Sequence, residues 1–120
     1  MAVTFTIYED MGRHLLTDFE LMILLAALRV GEKAYGVQIA REIEATSGRR
    51  VLLGAAYAAL DRLERNGLVD SSVGTATPER GGRAKRFFRV TPRGLRAVRD
   101  TQQALVAMWR DLPQLKEKLT

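Results

Sequence analysis

Eight basic side chains, Arg80, Arg83, Lys85, Arg86, Arg89, Arg93, Arg96 and Arg99, fall within residues 80–99, and no acid lies among them. A local positive field of that density attracts a polyanion. The alternative is a solvated basic face that only keeps the chain soluble. The net charge of +5 is spread unevenly. Residues 1–60 hold six Lys/Arg against seven Asp/Glu, whereas residues 61–120 hold thirteen against seven. Other chemistries have little to work with. There is no cysteine, which excludes disulfides and thiolate zinc sites. His14 is the one histidine and builds no metal site alone. Gly81-Gly82 does not open a helix, so it is no phosphate-cradling loop. No nucleophile stands beside a base in the sequence pattern. We therefore expect no enzyme, no cofactor and no metal.

The basic residues need a frame. Thr17 and Glu20 form a T-x-x-E capping box ahead of Phe19-Glu-Leu-Met-Ile-Leu-Leu-Ala-Ala-Leu28, and Gly31 suits the C-terminus of this first helix. It is apolar on nearly all sides, so its own domain and a second subunit must both cover it. Tyr35–Ser47 reads as a second helix, with Ile39, Ala40 and Ile43 inward and Gly48 as its stop. Val51-Leu52 is a candidate small strand. Gly54–Asn66 is a third helix, with Ala56, Ala59, Leu60 and Leu63 on one side and Tyr57, Ala58, Asp61, Arg62 and Arg65 on the other.

The apolar period then changes from 3.6 to 2. Leu68–Val73 and Arg86–Thr91 read as the strands of a hairpin whose tip is Gly-rich and charged. Thr91-Pro92 opens a last helix, with threonine as N-cap and proline at the first position. Along it Leu95, Val98, Gln102, Leu105, Trp109 and Leu112 recur at alternating intervals of three and four, a heptad seam, until Pro113 breaks it. Residues 1–16 read as an N-terminal extension, with either a short strand or arm through Val3, Phe5 and Ile7, or Met11 as the true start and residues 1–10 a disordered extension. The organisation expected is 1–16 extension, 17–91 DNA-binding domain, and 92–120 dimerisation helix. No apolar run is long enough to span a membrane and no secretory signal is visible, so a cytoplasmic location is expected.

Three helices, a basic hairpin and a long helix make a mainly α chain of winged helix-turn-helix plan. In that plan the third helix enters the major groove and the hairpin reaches the neighbouring backbone or minor groove. The partner expected is double-stranded DNA. Its candidate contacts are Tyr35, Arg49, Arg50, Tyr57, Arg62, Arg65, Arg83, Lys85 and Arg86. Tyr57 has a rival role as a wedge against the second helix, and Tyr35 as packing under the wing. Arg49 and Arg50 could instead be solvated loop charges. Asp61 either pairs with Arg65 four residues on or accepts from a cytosine amino group. The candidate homodimer surface is Leu21, Leu24, Leu25, Leu28, Leu95, Val98, Leu105, Trp109 and Leu112. Trp109 is the single tryptophan and serves either as dimer core or as a ligand platform.

The strings Phe19–Leu28, Tyr35-Gly36, Gly54–Leu68 and Gly81–Thr91 followed by Gly94, taken in this order, resemble the PadR family of transcriptional regulators. The resemblance runs from Leu16 to Trp109, and the single C-terminal helix is similar to the family's short-tailed branch. It implies dimerisation through the first and last helices, repression at palindromic operators, and for some members release by planar aromatic or drug-like effectors. The outer side of the third helix departs from this picture, being poor in base-reading groups and carrying Asp61.

Overall fold

The computed structural model describes residues 15–74 and 85–116. Helix α1 spans Asp18–Val30 and is capped as the sequence requires. Glu20 N–H donates to Thr17 Oγ1 at 3.2 Å, and Thr17 N–H donates back to the Glu20 carboxylate at 3.0 Å. Ile23, Leu24, Ala26 and Ala27 are buried in the body of the protein. Strand β1, Ala34–Tyr35, follows a tight turn, and helix α2 then spans Gly36–Ser47. The second helix thus begins one residue later than its sequence pattern suggested, because Tyr35 is taken into a sheet. Gly48 ends α2 in the left-handed conformation, donating to the Glu44 carbonyl at 2.9 Å.

Helix α3 spans Leu53–Arg65 and buries Ala56, Ala59, Leu60 and Leu63, the four residues its periodicity nominates. Strands β2, Val69–Val73, and β3, Arg86–Val90, form the hairpin. They belong to a three-stranded antiparallel sheet of order β1-β3-β2. Val51 and Leu52 contribute no strand; the third strand is β1, with Ala34 opposite Phe88 and Tyr35 opposite Phe87. In the hairpin Val69 lies opposite Val90, Ser71 opposite Phe88 and Val73 opposite Arg86. Phe88, almost fully buried, joins this sheet to the core of α1, α2 and α3.

Helix α4, Pro92–Trp109, is fixed to the domain at its first turn. Thr91 Oγ1 accepts from Gly94 N–H at 3.0 Å and donates to the Gly67 carbonyl at 2.7 Å. Thr91 N–H donates to the Leu68 carbonyl at 3.1 Å. The approach leaves no room for a side chain at residue 94, where a Cβ would run into the backbone carbonyl of Leu68. Further along, Thr101 Oγ1 accepts from Leu16 N–H at 3.0 Å. Of α4 only Gly94, Ala97 and Thr101 are buried. Past Thr101 the helix buries no further residue, and a short helix α5, Pro113–Lys116, follows the break at Asp111 and Leu112. Among the described residues no helix is long and apolar enough to cross a membrane.

The apolar surface of α1 divides more sharply than its sequence implies. Leu24, counted above among candidate interface residues, has no exposed surface and belongs to the protomer's own core. Leu25 and Leu28 are the exposed leucines of this helix. Leu21 is half-buried and lines a groove of 360 Å³ between α1 and α4, together with Leu15, Leu25 and Leu105.

Candidate nucleic-acid interface

Helix α3 turns Gly54, Ala55, Ala58, Arg62 and Arg65 outward. The approach to it exposes two leucines, Leu52 at 79% and Leu53 at 43%. Small residues on an exposed helix face let the backbone come close to whatever the helix enters. Leu52 and Leu53 were not nominated as site residues, because a Val-Leu-Leu run reads as a buried element. The available signal was position, since a segment leading directly into an outward-facing helix is itself displayed. Arg50 and Arg65 are exposed and make no ion pair among the described residues.

Three expected contacts are otherwise engaged. Tyr57 is half-buried, not on the outer side of α3. Its ring lies so close to Gly36 that a Cβ there would collide with it, and it packs 6.4 Å from the Phe88 ring. It wedges α3 against the start of α2. Arg86, expected on DNA, turns inward from β3 to α3. Its Nη1 donates to Asp61 Oδ1 at 3.0 Å and its Nη2 to Glu64 Oε1. Burial works against its charge, but the bonds to Asp61 and Glu64 outweigh this and raise its pKa. Asp61 accordingly pairs with Arg86 and not with Arg65, since the strand places a guanidinium between Asp61 and Glu64 whereas Arg65 stays exposed. Arg49 donates to Asp18 at 3.2 Å and lies over the Phe19 ring at 4.8 Å. That pair is exposed, and pairs of this kind contribute little.

Arg62 reaches the Glu20 carboxylate at 3.9 Å and keeps half its side chain exposed. Tyr35 lies under the wing as its packing alternative had it. Its ring meets Phe87 edge-on at 6.2 Å, and the Lys85 ammonium sits 3.7 Å above it. Lys85 therefore holds its charge at the end of the hairpin where the strands lead into residues 75–84, and Gly74 N–H donates there to the Lys85 carbonyl at 2.8 Å. Arg83 and the rest of residues 75–84 lie outside the described residues. Glu64 joins the two wing strands to α3, and its carboxyl is held below the usual range. The cause is the Ser71 hydroxyl, 2.6 Å away, opposed by desolvation and assisted by Arg86. Arg93, Arg96 and Arg99 extend the positive surface along exposed positions of α4. Among the described residues no cluster of His, Cys, Asp or Glu could hold a metal.

A helix-turn-helix with a three-stranded wing and a protruding terminal helix is now in place. The Transcriptional regulator PadR-like family matches residues 24–100 of the chain. The chain belongs to the PadR-like family of transcriptional regulators. As a PadR-like protein it is a DNA-binding transcription regulator and not an enzyme. Solved structures share its fold. A transcriptional regulator from Clostridium thermocellum superposes with a TM-score of 0.66 at 21% identity, over 82% of this chain and 92% of that one. A PadR family transcriptional regulator from Eggerthella lenta gives 0.63 at 22% identity, over 98% and 94%. The complex structure of hsRosR-S4 gives 0.61 at 28% identity, over 85% and 81%. No curated protein matches the chain.

Proposed function

We propose that this PadR-like protein is a homodimeric repressor that places two copies of α3 in successive major grooves of a palindromic operator. The observation that carries the reading is the apolar face left uncovered on α4. Leu95, Leu105, Met108 and Trp109 are all exposed, Leu105 at 50% and Trp109 at 53%, and Leu112 is exposed in the break that follows, so the heptad seam expected to run to Pro113 ends at Trp109. With Leu25 and Leu28 of α1 they form a surface that a monomer would leave in water. Monomers rarely expose apolar patches of that extent without a partner. A second copy, related by a twofold axis, covers like with like. For both copies of α3 to enter successive major grooves, that twofold must hold them about 34 Å apart, one turn of duplex. Arg50, Arg65 and Lys85 add phosphate contacts that fix register. Repression follows from occupancy, since a dimer seated on a promoter excludes polymerase.

Trp109 favours a refinement. An exposed indole beside Leu105, Met108 and Leu112 offers a flat apolar surface to a planar aromatic effector, and stacking adds about 0.5–1.5 kcal/mol beyond burial. A ligand held there biases the angle between subunits, and with it the separation of the recognition helices.

The test combines sedimentation of the full chain, a gel shift on the promoter of its own gene, and transcription in vitro from that promoter. A dimer that binds specifically and lowers transcription is expected. A stable monomer overturns the dimer, and absence of specific DNA binding would favour a winged-helix protein-interaction module. For the effector, a panel of planar aromatics should quench the single tryptophan and release operator in the same concentration range. Quenching without release overturns the switch.

A further inference from the structure

Helix α3 carries two acids, Asp61 and Glu64, on a surface that must approach a polyanion. Three residues apart, they share one side of the helix. Each unpaired carboxylate there would repel phosphate, so their presence on a recognition helix needs a reason. The contacts supply one. The guanidinium of Arg86 bridges both acids from β3, one nitrogen to each, and stacks over the Phe88 ring at 4.7 Å. Glu64 uses its second oxygen to accept from Ser71 of β2. A single side chain of α3 is thereby bonded to both strands of the wing, and a single side chain of the wing is bonded to two turns of α3. Single ion pairs at this exposure contribute little. A network of three charges and a hydroxyl, with a planar fork at its centre, fixes geometry as well as adding energy.

We infer that Arg86, Asp61, Glu64 and Ser71 form a latch that sets the angle between wing and recognition helix, and that Arg86 acts as a positioning residue and not as a DNA contact. The inference rests on the DNA-binding reading for its consequence, although the latch itself can be seen without DNA. The wing and α3 must meet backbone and groove at once. A wing free to swing would lose ordering entropy on binding that the latched wing has already lost. Removing the acids should therefore weaken operator binding even though the protein becomes more positive, the opposite of what plain electrostatics dictates.

The experiment compares wild type, the double variant Asp61→Asn/Glu64→Gln, Arg86→Gln and Arg86→Lys. The operator duplex is selected by wild-type protein from a random pool, and a scrambled duplex is the control. Both neutralised variants should bind operator about tenfold more weakly, the scale of one lost bidentate base contact. The acid-less variant should hold scrambled DNA as well as or better than wild type. For Arg86→Gln the salt slope should stay at the wild-type value, whereas loss of a phosphate contact lowers it by about 0.9. Arg86→Lys keeps the charge without the fork and should recover only part of the operator affinity. Hydrogen exchange on free protein is the DNA-independent arm. Amides of β2 and β3 should exchange faster in Arg86→Gln while those of α1 stay unchanged. Tighter operator binding by the acid-less variant, a reduced salt slope for Arg86→Gln, or unchanged exchange in the wing overturns the latch. If wild type selects no operator, the DNA-binding reading fails, and the exchange arm alone then decides whether the latch exists. A fall in protection across the whole chain in Arg86→Gln marks global unfolding, and Arg86→Lys then carries the comparison.

Discussion

Replacing Thr91 by valine is the sharpest test of how α4 is joined to the DNA-binding domain. The substitution preserves shape and deletes one hydroxyl. That hydroxyl accepts from Gly94 N–H and donates to the Gly67 carbonyl in a buried position. Valine leaves both groups without their partner in a place water hardly enters. Each such loss costs about 1–3 kcal/mol, and the first includes the N-cap, worth about 1 kcal/mol by itself. Relaxation of the helix start offsets part of this, so we expect a net loss of about 2–4 kcal/mol. At about 4 °C per kcal/mol for a chain of this size, the midpoint should fall by roughly 8–16 °C. Thermal unfolding followed by circular dichroism measures it, at one fixed protein concentration because a dimer's midpoint depends on concentration. Thr91→Ser keeps both bonds and should lose no more than about 1 kcal/mol, as deleting one methyl group does. If valine and serine are equally mild, the hydroxyl is not what anchors α4, and the argument from Thr91 collapses.

Leu105→Asp places a charge on the proposed subunit surface and should shift sedimentation from dimer toward monomer, whereas an unchanged dimer would move the interface elsewhere. Arg83→Ala and Lys85→Ala should each lower the salt slope of DNA binding by about 0.9 if they meet phosphate, read from gel shifts at graded salt. Arg62→Ala should reduce operator binding more than scrambled-duplex binding, by about 1–3 kcal/mol if it touches a base edge; equal losses would confine it to its pair with Glu20. The lowered pKa of Glu64, whose first cause is the Ser71 hydroxyl, gives a pH dependence. A depressed carboxyl stabilises the fold above its unfolded value of 4.5, and that contribution disappears as pH falls through the folded value. Wing amides should therefore lose exchange protection below pH 4.5 in wild type, and Glu64→Gln should remove that dependence.

The helices were legible because capping and periodicity are local. Thr17 with Glu20, Gly48, and Thr91-Pro92 each mark a boundary within a few residues of the backbone groups they satisfy. The four apolar positions of α3 were identified by spacing alone. Strand β1 was not, since two residues carry no period, and Tyr35 could only be read as part of the helix that follows. The site was less legible for the same reason in reverse. Arg86 meets Asp61 at a separation of 25 residues in sequence, and nothing local distinguishes it from Lys85 beside it. One of the two turns inward to a carboxylate pair and the other lies over an aromatic ring at the far end of the wing strands. Tyr57 was ambiguous because its role depends on the absence of a side chain at Gly36, a fact of packing between elements. Leu24 was misjudged because a helix apolar on all sides does not say which leucine faces which neighbour. The domain division at 16 and 91 rests on sequence pattern alone.

The junction at Gly94 and Thr91 leaves no slack between the last wing strand and α4, and that makes the terminal helix a rigid lever whose phase is set at its base. An α-helix advances about 100° per residue. One residue inserted between Thr101 and Trp109 would swing the indole a quarter-turn or more away from its apolar neighbours, while an insertion close to a whole turn would restore its bearing and merely lengthen the arm. In the proposed dimer, turns added at the far end would change the reach between the two recognition helices, while a glycine and a threonine at the near end would still set the direction of the arm.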